Sequence, residues 1–213
     1  MLLLCAVAAL SCCSSGADAD RVALTFDDGP DAAITAQILD LLAAYDAKGT
    51  FFMVGQHVAA SPQTAARVVA GGHEVGNHSY SHRDFTKLSE DAACAEISAG
   101  EEAIFAATGV RTTLLRPPYA GEPSWLASWA AANRYRVVEA DIWGLDWELR
   151  TAQEIADTVL AKVYPGAIIL LHDGVAPGAA ATQTHRTVTV DATRILLEEL
   201  HRRHYKLVTV SDL

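Results

Sequence analysis

The chain is short of cysteine, of positive charge and of long apolar runs, and each shortage removes a class of protein. Four cysteines occur in 213 residues, and Cys5, Cys12 and Cys13 all fall near the N-terminus. Only Cys94 remains beyond them, so no internal disulfide framework can hold a domain there, and no cysteine pair has zinc-site spacing. Cys94 lies in an Ala-rich helical stretch and reads as a small buried hydrophobe. Lysine and arginine number 16 against 26 aspartates and glutamates, for a formal net charge of −10. An acidic chain without a basic cluster speaks against nucleic acid as a partner, and more weakly against adhesion to polyanionic polymers. No linker, repeat or low-complexity tract divides the sequence.

The opening segment, MLLLCAVAALSCCSSGADAD (1–20), has an apolar run too short to span a bilayer. It reads as a secretory leader, although no Lys or Arg precedes the run. Two routes fit it: cleavage near Ala17 or Ala19, or lipidation at Cys12 (Cys13 as second choice), because ALSCC roughly resembles a lipoprotein cleavage site. Either route implies export to the periplasm, the extracellular space or the cell envelope. A lipid anchor on Cys12 would be the only membrane contact.

What is present is a core. Hydrophobic residues make up 51% of the chain and charged residues 20%, which suits one packed domain over residues 21–213. Strand-like runs at residues 21–26, 50–54, 73–77, 112–118, 135–141, 167–173 and 206–210 alternate with helical patterns. Gly49 is read as the stop of the first helix, Ser61 and Ser89 as N-caps, Pro62 as a first helical residue, and Thr151 with Glu154 as a capping box. About seven parallel strands alternating with helices predict an α/β domain, either a barrel or a doubly wound sheet.

The unusual polar residues follow strand after strand. Asp27 and Asp28 follow the first, NHSYSH (77–82) the third, RPPY (116–119) the fourth, ADIWGLDW (140–147) the fifth and LHDG (171–174) the sixth. In parallel α/β barrels the functional loops gather at the carboxyl ends of the strands. His78 and His82, four apart, would project from one side of a helical turn and could share a metal ion, or could simply be solvated. A carboxylate from another strand end would complete a two-histidine, one-carboxylate site. Strand alternation should turn Asp27 and Asp28 to opposite faces, with Gly29-Pro30 ending the strand. Arg116 could fix a carboxylate or form a structural ion pair. His172 is a candidate general acid or, taken alone, a histidine ending a core strand.

Taken in order, TFDDGP, HSYSH, RPPY, DIWGLDW and LLHD resemble the motifs of the polysaccharide deacetylases with a NodB-homology domain, carbohydrate esterase family 4. The resemblance covers residues 21–213 and implies a distorted (β/α) barrel. It implies Asp28, His78 and His82 as ligands of a divalent metal, usually zinc and sometimes cobalt or another ion. It further implies Asp27 as general base, Arg116 as its holder, His172 as general acid and Asp146 as the charge partner of His172. The backbone N–H of Tyr119 would serve the oxyanion, and Trp147 and Leu170 would wall the acetyl pocket. The implied activity is removal of acetyl groups from N-acetylglucosamine-type glycans, peptidoglycan or chitin-like, by a monomeric hydrolase. An acetylxylan-type esterase with the same site and a non-catalytic glycan-binding protein are the alternatives. Two departures fall near the substrate rim: Ala120 stands where glycine often follows RPPY, and ADIWGLDW has Ala140 where an aromatic is frequent and an unusual Trp143.

Overall fold

The structure, a computed structural model, describes residues 20–148, 150–179 and 186–213. The leader up to residue 19, with Cys5, Cys12 and Cys13, lies outside the described residues. Among the described residues no helix is long and apolar enough to cross a membrane.

The fold is built around its first strand. β1 (Arg21–Asp27) buries every residue after Arg21, the near-continuous apolar run of a strand covered on both faces. It pairs in parallel with β2 (Gly49–Met53) on one side and β7 (Ile168–His172) on the other. The sheet continues through β3 (Glu74–Asn77), β4 (Leu114–Leu115) and β5 (Arg136–Val137) beyond β2, and through β6 (Ile142–Trp143) beyond β7. β8 (Lys206–Leu207) adds to the start of β1. Every pairing is parallel, and none among the described residues closes β5 onto β6. The result is the distorted barrel expected, curled and left open at that seam.

The helices take the other side of the core. α1 (Ile34–Ala44) and α7 (Thr187–Arg202) direct Ile38, Leu42, Leu196, Leu197 and Leu200 inward against Phe26, Phe51 and Leu171. The rings of Phe26 and Phe51 stack with centroids 5.0 Å apart, joining β1 to β2 through their side chains. α6 (Ala152–Leu160) begins at the capping box expected, with Thr151 and Glu154 each bonding the other's backbone N–H. α4 (Glu90–Thr108) is capped by Ser89 and ends at Gly109, whose φ of 72° is the left-handed conformation that glycine adopts without penalty, and the short α5 (Leu126–Ala132) buries Leu126 and Ala130.

Several expectations give way. The first helix stops at Tyr45, and Gly49 instead opens β2. α2 (Gly55–Ala60), only six residues long, carries no readable period and precedes α3 (Pro62–Ala70). Pro62 does open α3, but the Ser61 side chain makes no capping bond. The strands read over 112–118, 135–141 and 206–210 keep two residues each in the sheet, because the chain leaves the ladder early to reach the rim. β6 then forms inside the stretch read as a loop. Cys94 is half-buried.

Phe51→Ala should destabilise the protein by about 3–5 kcal/mol, the usual range for deleting a core ring. Urea unfolding monitored by circular dichroism measures it, and a loss under about 1 kcal/mol would show that this stack does not hold the two strands together.

Candidate active site

Asp27 is the last residue of β1, and in the parallel register it stands opposite Phe52 of β2 and His172 of β7. Asp28 leaves the strand with φ of 70°, a left-handed conformation uncommon outside glycine, so strand alternation does not apply to it. Both carboxylates therefore face one cavity, contrary to the opposite faces that alternation predicts. The His57 Nδ1–H donates to the Asp28 carbonyl at 2.6 Å and steadies this turn. Gly29 has no room for a side chain, since a Cβ there would fall 2.3 Å from Asp173 Oδ2.

The two histidines sit on a loop and not on a helix. The loop follows β3 and reverses through Ser79 and His82, with φ of 66° and 59°. Asn77 holds it from both sides: its amide donates to the Ile97 carbonyl at 2.8 Å and its oxygen accepts from the Ser79 N–H at 2.9 Å. Ser79 Oγ accepts from the His82 N–H at 2.9 Å. α4 reaches the loop through Gly100, where a Cβ would meet Asn77 Oδ1 at 2.6 Å.

His78 donates its Nδ1–H to the Arg116 carbonyl at 2.6 Å. A carbonyl only accepts, so the free lone pair of neutral His78 is on Nε2, 3.5 Å from Asp28 Oδ1. Burial favours that neutral form and lowers the His78 pKa, against the opposing pull of Asp27. His82 Nε2 lies 3.1 Å from the same oxygen. One ligand atom from each of Asp28, His78 and His82 lies within 4.8 Å of the other two, and all three residues are buried. Asp28 Oδ1 and His82 Nδ1 find no hydrogen-bond partner. Burial works against the charged Asp28 carboxylate, but His82, His172 and His78 outweigh it and hold the group ionised. A buried nitrogen and oxygen set with an orphaned carboxylate oxygen fits a divalent cation.

Arg116 joins the rest. Its Nη1 donates to Asp27 Oδ1 at 2.7 Å and to Thr25 Oγ1 at 2.8 Å, and its Nε donates to the Val138 carbonyl at 3.0 Å. The guanidinium carbon lies 4.0 Å from the centre of the Phe52 ring. Across the cavity, the His172 Nδ1–H donates to Asp146 Oδ1 at 2.8 Å. Asp146 Oδ2 accepts from the His172 backbone N–H at 2.9 Å and from the Thr189 hydroxyl at 2.7 Å. Burial opposes the imidazolium, but Asp146 more than compensates and raises the His172 pKa to about 9. Asp146 is driven the other way: burial resists its charge, and His172, Arg186 and Thr189 together lower its pKa.

The cavity measures about 540 Å³, and every site residue anticipated from the sequence lines it except Asp146, which stands behind His172. Trp147, Leu170 and Trp143 form an apolar wall. Tyr119, exposed at 66%, packs its ring edge to face with His82 at 4.7 Å between centroids. Sequence reasoning missed the supporting groups. Arg186 is buried and donates to the Gly174 carbonyl at 2.6 Å and the Asp146 carbonyl at 3.3 Å. Asp173 accepts from the Thr35 hydroxyl at 2.6 Å, and burial raises its pKa to about 7. Glu122 and Glu139 line the mouth, where burial and Glu139 raise the Glu122 pKa. Asp173 lies inside the LLHD motif and Glu139 adjoins ADIWGLDW, so these two stood at signals visible in the sequence.

The family model described as polysaccharide deacetylase matches residues 14–138. The chain belongs to the polysaccharide deacetylase family. It is 39% identical over 192 residues to the peptidoglycan-N-acetylmuramic acid deacetylase PdaC of Bacillus subtilis, covering 90% of this chain and 38% of that protein. It is 36% identical over 196 residues to a chitooligosaccharide deacetylase of Rhizobium leguminosarum bv. trifolii, covering 91% of each. A solved peptidoglycan N-acetylglucosamine deacetylase superimposes with a TM-score of 0.85 at 33% identity, over 92% of this chain and 88% of that one.

With a folded pKa near 9 against the ordinary 6.5, protonated His172 stabilises the fold in full below about pH 6.5, and that stability is lost as the pH rises through about 9. Asp146→Asn should bring the imidazole titration, followed by NMR, down by at least about one unit; an unchanged titration would remove Asp146 as its cause. Ala120 has φ of 51°, so Ala120→Gly should gain about 0.5–1 kcal/mol in urea unfolding, the left-handed penalty less the entropy of glycine.

Proposed function

We propose that this protein is a divalent-metal-dependent deacetylase that removes acetyl groups from N-acetylglucosamine-type glycans of the chitin or peptidoglycan kind. One observation carries the reading: Asp27 and His172 stand directly across one step of the β1–β7 register, beside the Asp28, His78 and His82 cluster. The Asp27 carboxylate bonded to Arg116 and the His172 imidazole held protonated by Asp146 stand in different surroundings, one suited to accept a proton and the other to give one. Both can act at neutral pH on one amide.

Asp28, His78 and His82 would hold a divalent cation, which when bound would supply Lewis acidity toward water and the acetamide carbonyl. Asp27 accepts the proton of the attacking water, and Arg116 fixes the direction of its carboxylate. The Tyr119 backbone N–H donates to the oxygen on which negative charge develops. His172 delivers its Nε2 proton to the departing nitrogen, since an amide anion leaves poorly. Trp147 and Leu170 enclose the acetyl methyl and keep water from it. Acetate and a free amino sugar result. Zinc is the metal we propose, with cobalt or another divalent ion able to replace it. Export to the cell envelope, by the leader or a lipid on Cys12, would bring the protein to such glycans.

Acetate release from N-acetylglucosamine oligomers should stop on treatment with a chelator and return with zinc or cobalt; activity that survives chelation overturns the metal role. Asp27→Asn and His172→Ala should each lower kcat by roughly two orders of magnitude or more. Near-normal turnover in either variant would remove that residue from its role.

A further inference from the structure

The two residues of β6 part company. Ile142 is buried in the core at 2% exposure, and Trp143 stands out at 41% on the wall of the active-site cavity, beside Leu170 of β7. The indole is fixed in place. Its Nε1–H donates to the Ala140 carbonyl at 3.3 Å, and its ring meets Trp147 at 71° with centroids 5.8 Å apart. Trp147 in turn meets His172 at 84° and 5.2 Å. Three rings thus step outward from the proton donor: His172 mostly buried, Trp147 half-buried and Trp143 open to solvent.

A ring at the mouth of a groove, already held in one orientation, loses little freedom when a ligand covers it. The face of a pyranose is a patch of C–H groups that suits the electron-rich face of an aromatic ring. Trp147 is placed to wall the reacting sugar, and Trp143 lies one ring further out, at the reach of the next sugar along the chain. We propose that Trp143 is the stacking platform for the sugar that neighbours the one losing its acetyl group, and that it makes the groove select oligosaccharide chains over single sugars. This inference rests on the glycan reading of the site and adds the element that reads chain length.

The test separates binding from turnover. In an Asp27→Asn background, where turnover is slowed, calorimetry with N-acetylglucosamine and its tetramer should show at least about tenfold tighter binding of the tetramer. Adding Trp143→Ala should weaken the tetramer roughly fivefold to tenfold while moving the single sugar much less, and Trp143→Phe should restore most of the loss. In the otherwise native enzyme, the ratio of kcat/KM for tetramer over single sugar should fall by a similar factor, chiefly through KM. Equal tetramer affinity with and without Trp143, or no gain with chain length in the parent, overturns the platform. If the affinity pattern holds and the native enzyme releases no acetate, the platform stands and the deacetylase reading falls.

Discussion

The buried contact between Arg116 and Asp27 is the constraint on which the rest of the site depends. At 2.7 Å, with both side chains nearly inaccessible, neither charge can be left without the other. Losing one partner of such a pair costs about 3–5 kcal/mol, because the survivor stays buried and uncompensated. Arg116 also bonds Thr25 through Nη1 and Val138 through Nε, leaves its buried Nη2 without a hydrogen-bond partner and rests on Phe52, so it binds β1, β2 and the end of β5 at one point. Its backbone carbonyl also sets the tautomer of His78. The residue that orients the Asp27 carboxylate therefore also aims the His78 ring, through two different chemical groups of one amino acid.

The second pair, His172 with Asp146, mirrors the first with the proton on the other side. Asp146 is enclosed by two hydrogen bonds from His172, one from Thr189 and the nearby Arg186, all of which favour its charge. The charged Asp146 in turn keeps His172 protonated. Each pair meets its own charge locally, so Asp27 and His172 can stand opposite one another across one step of the ladder. The parallel ladder makes this possible, because adjacent parallel strands end at the same rim with their last residues in step.

Much of this was legible in the sequence, and the limits have physical causes. The strand-end motifs announced themselves because Asp, His and Arg are expensive to bury and stood next to apolar runs. The alternation of strands and helices left a barrel or a doubly wound sheet open, and the resemblance of the ordered motifs implied the barrel. What stayed hidden was what a period cannot express. β6 is two residues long, too short to alternate, and its exposed member is apolar. His78 and His82 are four apart, yet a loop reversed by left-handed residues brings them together where a helix was expected. Arg186 and Thr189 support Asp146 from 40 and 43 positions away in the chain, contacts only the fold creates.

The left-handed backbone residues have a consequence for engineering. Asp28, Ser79, His82, Tyr119 and Ala120 all hold positive φ, and none is glycine. Four of them line the cavity and Ser79 turns the loop that carries His78 and His82, each by a bend that most side chains resist, and branched ones resist most. Libraries that vary these five positions will be dominated by variants that cannot hold the bend, whatever their chemistry. Trp143, Ala140, Glu122 and Glu139 line the same cavity from backbone with negative φ, and there the enzyme can be rewritten freely. Evolvability is thus partitioned by dihedral angle: a rigid, intolerant bend of chain holds Asp28 and His82, and a permissive rim surrounds them.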